Sequence, residues 1–328
     1  MKKYCHILFL FVAASLAISC EHKDLCYDHN HSRWVNVKFD WSKAPEAAPA
    51  TMSLWLFPRD GGEALRYEFV ERNGGRIRLP LGDYDALCLN SDTEGLDYVQ
   101  TDGFETFEVK ARTTDLLTSG MSVLGVKSDG APRAEGTENE RVVNSADYLW
   151  TDNLQGIAIE AAMADDTLVL YPESRTCHYR VEISGVDNLK YVRGVSATLS
   201  GMSSGWLPGA EALSAELATL PFAMAKEAPE GEDNTANEWL TGELQVFGHC
   251  LDGKASHAIV VYAVLADGTQ HAYTLDAEEV TRQIHEAPDS RNVVIRLHGL
   301  PLPKPIVNGG GFQPTVDEWQ EEHVRLEM

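Results

Sequence analysis

From Trp34 to Trp41 the chain reads WVNVKFDW, with Val35, Val37, Phe39 and Trp41 on one parity and Asn36, Lys38 and Asp40 on the other. A period of two sends alternate side chains to opposite faces of an extended backbone, so this stretch is a strand with one buried face. The pattern recurs along most of the chain and limits it to an architecture of packed sheets. MSLWLFP (52–58) is apolar on both parities, as in a central strand covered on both sides, and Pro58 ends it. RIRLPL (76–81) sets Arg76 and Arg78 against Ile77, Leu79 and Leu81, and GDYDALCLN (82–90) resumes after a turn at Gly82. Asp60-Gly61-Gly62 and Asn73-Gly74-Gly75 supply further turn chemistry. TFEVKA (106–111) and GIAIEAA (156–162) add short strands.

After a small acidic break at 163–167, MADDT, the same grammar returns. TLVLYP (167–172), HYRVEIS (178–184), VRGVSATLS (192–200), ELQVFG (243–248), HAIVVYAVL (257–265), QHAYTL (270–275) and NVVIRL (292–297) read as strands. Asp267-Gly268 predicts a two-residue hairpin of type I′, which needs positive φ at both central residues. One helix is expected over 277–285, capped by Asp276, with Glu279 closing a capping box and Val280 and Ile284 as an apolar pair. Polar stretches at 127–146 and 225–237 read as loops. Many short strands with frequent turns predict an all-β chain of sandwiches. At ~100–200 residues per domain, 328 residues suggest two: one over 34–163 and one over 164–328, the latter with a Gly-rich tail.

The first 19 residues stand apart. MKKYCH carries two lysines, and the apolar run from Ile7 to Ile18 is too short to span a bilayer as a permanent helix. Leu16, Ser19 and Cys20 at the end of this run resemble the lipobox of bacterial lipoproteins. Residues 1–19 are therefore expected to be a lipoprotein signal peptide, Cys20 the lipid attachment site and 20–33 a polar tether. The chain has 50 acidic against 27 basic residues, a net charge of −23, which argues against binding nucleic acid, whose phosphates need a basic stripe. Such a balance also argues against holding an anionic membrane by protein charge, leaving the anchoring to covalent acyl chains. Cys26, Cys88, Cys177 and Cys250 show no CxxC spacing. Whether they pair or stay as buried thiols remains open at this point.

Candidate chemistry is sparse. GMSSG (201–205) matches GxSxG, but a nucleophile elbow needs a strand-to-helix turn, and Trp206-Leu207-Pro208-Gly209 breaks any helix. Ser203 is expected in a glycine-rich hairpin turn. His22, Cys26, His29 and His31 are metal-ligand types on a segment with little apolar support, and a plain tether is the preferred reading. Oxygen-rich runs at 90–97 and in DNTANE match no EF-hand. Trp55, Trp206 and Trp239 have the chemistry to stack on sugars, although an aromatic on a strand is more often core. No catalytic residue, metal ligand or cofactor is nominated. The tail NGGGFQPTVDEWQEEHVRLEM (308–328) follows its glycines with anchors at Phe312, Val316 and Trp319 and alternating Val324, Leu326 and Met328. It is expected to add an edge strand, more often to its own sheet than to a neighbour's.

VNVKFDW, MSLWLFP with its Gly-Gly turn, IRLPLGDYDALCLN, LSGM (199–202) and GGGFQPTVDEW together resemble fimbrillin-like lipoproteins of Bacteroidetes. The group most resembled is the FimB/Mfa-type fimbrial anchor and assembly family with its sister family of unknown function. This resemblance implies two tandem transthyretin-like β-sandwiches, lipidated and surface-exposed on the cell outer membrane, in a non-enzymatic fimbrial anchor or accessory subunit. Its partners would be fimbrial shaft subunits bound by β-strand addition, and the membrane through the lipid. Glu21 and Asp24 match a surface-export signal only loosely. The rival expectation is a surface lipoprotein that binds a glycan or another protein.

Overall fold

The structure is a computed structural model and describes residues 31–162, 167–227, 239–249, 255–305 and 319–324. The chain is all-β, in packed sandwiches, and two α-helices accompany the strands among the described residues. The first sandwich faces a three-stranded sheet against a five-stranded one. The smaller sheet runs β10 (Thr167–Leu170), β1 (Ser32–Phe39), β4 (Gly74–Pro80), with β10 parallel to β1. The larger runs β11 (Glu173–Ser174), β9 (Trp150–Ile159), β5 (Gly82–Asn90), β2 (Met52–Pro58), β3 (Leu65–Phe69). The period of two performs as expected in β1, where Val35, Val37 and Phe39 point inward and Trp34, Asn36 and Lys38 outward.

The double-sided burial of β2 has a specific cause. Met52, Leu54 and Leu56 enter the first core with Tyr84, Ala86 and Cys88 of β5. Trp55, Phe57, Leu87 and Leu89 point the other way, into a second core. There Phe107 meets Trp55 edge-on at 5.1 Å and Phe57 at 6.3 Å, and Phe104 packs on Phe57 at 5.9 Å. Phe104 and Phe107 belong to the connection between β6 (Leu96–Val99) and β7 (Glu108–Ala111). These strands share a small sheet with β14 (Gly205–Leu207) and β15 (Ala212–Leu213). The five-stranded sheet thus has no solvent face along its centre.

A nine-stranded sheet forms the rest. Its order is β20 (Asn292–Leu300), β12 (Cys177–Val186), β17 (Trp239–Val246), β16 (Leu217–Glu227), β13 (Val192–Ser203), β18 (Ile259–Leu265), β19 (Gln270–Leu275), β21 (Trp319–Val324), and β8 (Arg141–Val142) pairs with β16. β16 changes partner along its length: residues up to Ala223 pair with β13, and Met224–Glu227 pair with β17. Side chains from β12, β17 and β20 meet those of β13 and β18 in one core. The strand order crosses the boundary expected at 163/164 in both directions. β10 follows it in sequence yet pairs with β1, and β7 precedes it yet pairs with β14. The acidic stretch joins two strands of one sandwich, and its composition does not distinguish that from a linker.

Helix α1 (Ser119–Val123) is a single short turn. Helix α2 (Ala277–His285) has the expected bounds, and Asp276 accepts from the N–H groups of Glu278 and Glu279. Glu279 does not close a capping box; its carboxylate is held by Arg282 and Gln283 instead. The Asp267-Gly268 hairpin exists with a different turn. Leu265 and Thr269 flank a three-residue loop, Gly268 N–H returns to Leu265 O at 3.0 Å, and only Gly268 takes positive φ, at 87°. Asp267 accepts from the Thr269 N–H and hydroxyl, which holds it outside the left-handed region.

Phe107 is fully buried where the two cores adjoin. Phe107→Ala is expected to lower unfolding free energy by about 3–5 kcal/mol, measured by denaturant titration. Val70→Ala, at a side chain 84 % exposed, is expected to change it by less than ~0.5 kcal/mol.

Candidate functional site: the edges of the nine-stranded sheet

A sheet edge is a row of unpaired main-chain donors and acceptors, and each end of the nine-stranded sheet handles this differently. At β20, helix α2 blocks the edge with one side chain. Gln283 Nε2 donates to Arg296 O at 2.8 Å, and Gln283 Oε1 accepts from Arg296 N–H at 2.8 Å. The amide reproduces the pairing another strand would offer. At β19, the edge is covered by β21, parallel and in register from Gln270 opposite Trp319 to Leu275 opposite Val324. The tail therefore pairs with its own sheet. Trp319 packs edge-on against Tyr262 at 5.3 Å, and Val324 lies against the main core. The four residues between them are exposed. A cleft of about 950 Å³ opens beside the end of β21, bordered by His323, Val324, Glu135, Glu140, Asp276 and Glu278.

Beneath α2 three imidazoles gather. His257 Nε2 lies 3.1 Å from His285 Nε2 on the helix, and His257 Nδ1 lies 3.3 Å from Ser200 O. Only a protonated Nδ1 satisfies that carbonyl, so neutral His257 accepts at Nε2 and His285 donates. His249 stacks on His285 at 5.1 Å with planes 18° apart, and its Nδ1 meets Tyr179 Oη at 2.7 Å. Rings stacked in this way do not aim their nitrogens at one ion. Among the described residues no group of three His, Cys, Asp or Glu is arranged to hold a metal. Thr281 ties the helix to the same segment by accepting from His257 N–H at 2.8 Å.

The residues singled out from sequence are scattered. Ser203 is buried at the end of β13, not in a hairpin turn, and its hydroxyl donates to the carbonyls of Ser214 at 2.8 Å and Gly205 at 2.9 Å. The glycine before it, Gly201, has φ of 76° where the β13–β16 register shifts, and a Cβ there would lie 2.4 Å from Ser256 O. GMSSG is thus a bulge beneath a close backbone crossing. Cys88 is buried and Cys177 half-buried, both as free thiols. Asn90 and Asp92 spend their side chains on one another and on main-chain groups. Trp55 is buried with Arg66 4.9 Å above its ring, Arg175 covers Trp206 at 5.1 Å, and Trp239 is half-buried and donates to Glu227. Cys20, His22, Cys26, His29, Cys250, DNTANE, Phe312, Val316, Leu326 and Met328 lie outside the described residues. Reasoning from sequence missed Gln283 and the three histidines, which come from separate segments with no diagnostic spacing.

Burial lowers the pKa of His257 from 6.5 to about 4, with the neighbouring imidazoles adding to the effect. Folded His257 therefore binds its proton less readily than the unfolded chain does. Its contribution to stability is complete above pH ~6.5 and is lost as pH falls toward 4, amounting to roughly 3 kcal/mol. Denaturant midpoints between pH 7.5 and 4.5 should fall steeply for the native chain and less for His257→Gln.

A Bacteroides ovatus (strain ATCC 8483) protein, provisionally named fimbrium anchoring subunit Fim4B, is 23% identical over 352 residues, spanning 97% of this chain and 97% of that one. A solved structure of a provisionally named adhesin from Bacteroides ovatus ATCC 8483 superposes with a TM-score of 0.61 at 19% identity, covering 88% of this chain and 98% of that one. It shows the same fold. The fimbrial anchor protein Mfa2 from Porphyromonas gingivalis gives a TM-score of 0.47 at 11% identity, over 81% and 90% of the two chains. A family model described as a domain of unknown function, DUF5119, matches residues 19–223. That is more than half of the chain, and the protein belongs to the DUF5119 family.

Proposed function

We propose that this protein is a non-enzymatic outer-membrane lipoprotein that seats or helps assemble a fimbrial polymer by β-strand addition. The observation that carries this reading is β21. It is a six-residue edge strand held on β19 by main-chain pairing and by two apolar anchors, Trp319 and Val324. Gly309-Gly310-Gly311 precede it in the sequence. A strand of this kind is replaceable by a partner's strand in the same register, with main-chain bonds giving affinity and side-chain pockets giving selectivity. The end-to-end likeness to a protein named for fimbrium anchoring supports the same job. Cys20 carries the acyl chains, residues 20–33 give reach, and fimbrial shaft subunits are the partners at the cell surface.

Two experiments test it. In a Cys20→Ala strain, shafts should shear from cells far more readily than in the parent; equal retention would remove the anchoring role. A chain ending at residue 318 lacks its own competitor for the β19 edge. That competitor acts at an effective concentration of ~1 mM, so purified shaft subunit should bind the shortened chain at least ~10-fold more tightly. Unchanged binding, measured by interferometry, would count against strand addition at β19.

A further inference from the structure

The outward face of the sheet β10–β1–β4 departs from the acidity of the rest of the chain. It presents Trp34, Lys38, Arg76 and Arg78, all exposed, in a protein of net charge −23. Register sets Trp34 opposite Arg78 and Asn36 opposite Arg76. The Arg76 guanidinium lies 5.1 Å over the Trp34 ring, and Arg78 Nε donates to Ser32 Oγ at 2.7 Å. Among the described residues neither guanidinium pairs with a carboxylate. The acid at the end of this face, Asp40, is already held by Lys38 at 2.8 Å. Trp34 remains 50 % exposed, and Tyr171, just past β10, is 43 % exposed.

This combination has a chemistry of its own. Indole and phenol rings settle at the headgroup level of a bilayer, where one end is apolar and the other wet. The guanidinium fork matches phosphate oxygens with two parallel N–H donors. The position of the patch along the chain fits as well. β1 starts twelve residues after Cys20, and twelve residues reach at most ~40 Å even when fully extended.

We infer that this face rests on anionic, phosphate-bearing lipid headgroups of the membrane that takes up the Cys20 acyl chains. Arg76 and Arg78 bind phosphate, and Trp34 lies in the interface between them. The inference rests on the proposed lipid at Cys20. A single attachment point at Cys20 would not by itself set the orientation of the first sandwich, whereas a second contact through this face fixes its tilt. Net charge is the wrong measure for this contact, because at physiological salt only charges within ~8 Å count.

The test uses the native acylated protein in vesicles of phosphatidylcholine with a minority of phosphatidylglycerol, some of the lipid brominated near the headgroup. Bromine should quench part of the tryptophan emission. That quenched part should vanish in Trp34→Phe, and it should fall several-fold in Arg76→Gln/Arg78→Gln and in vesicles of phosphatidylcholine alone. Both variants alter exposed side chains, so thermal midpoints equal to the parent's should confirm intact folds. Equal quenching in parent and Trp34→Phe would overturn the inference while leaving the anchor intact. Shielding of Trp34 from iodide by shaft subunit, with no lipid quenching, would assign the face to a protein and also overturn it. Failure of the protein to sediment with vesicles would remove the lipid anchor itself, and this contact with it.

Discussion

The arrangement depends on a sheet that has no side for water. Along β2 and β5, one parity supplies Met52, Leu54, Leu56, Tyr84, Ala86 and Cys88 to the first core, and the other supplies Trp55, Phe57, Leu87 and Leu89 to the second. Two-sided burial is common where helices flank a parallel sheet; here other β-layers cover both faces. The two cores are welded through shared strands, and neither sandwich closes without them. Aromatic side chains mark the joint because the connection between β6 and β7 answers Trp55 and Phe57 with Phe104 and Phe107.

Much of this was legible, for identifiable reasons. Where one face is buried and the other wet, alternation defines a strand, as in β1; where apolar runs end at Pro or Gly, the limits were also clear, as in β2 and β5. Helix α2 was legible from its cap and its apolar pair. The largest omission was β16, whose Pro221 speaks against an interior strand. The structure accommodates it where the neighbour changes: Ala218 and Thr219 pair with β8, Met224–Glu227 pair with β17, and Pro221 lies between. The strand was hidden because its irregularity is the crossover between layers. β3 and β6 were missed because they are short, five and four residues, so that even the alternation of Leu65, Tyr67 and Phe69 in β3 covers little chain. The passage of the chain between layers was not legible at all, since an acidic linker and an acidic loop look alike in composition.

The candidate site was legible only in outline. Trp319 and the spaced apolar residues announced an edge strand, but nothing announced which edge. The two edges use opposed physics. Gln283 plugs β20 with a side chain fixed to a helix that is itself packed through Val280 and Ile284, so the plug leaves only if the helix does. β21 covers β19 with a segment whose four middle side chains face solvent, so its removal breaks the ladder and the two end contacts of Trp319 and Val324 and leaves the rest of the packing in place. The three histidines under α2 were invisible in the sequence because their meeting depends on the segment after β17, the segment before β18 and the helix arriving at one place.

The parallel pairing of β1 with β10 also sets the order in which the polypeptide matures. Asn36 faces Thr167 and Phe39 faces Leu170, so the opening strand waits for a mate more than a hundred positions downstream. A chain emerging amino end first therefore holds an incomplete sandwich, with β1 open on one flank, until roughly its first half has arrived. Ladders between such distant segments form late and slowly. Throughout that interval the flank of β1 that β10 will cover is an unpaired edge, open to mispairing.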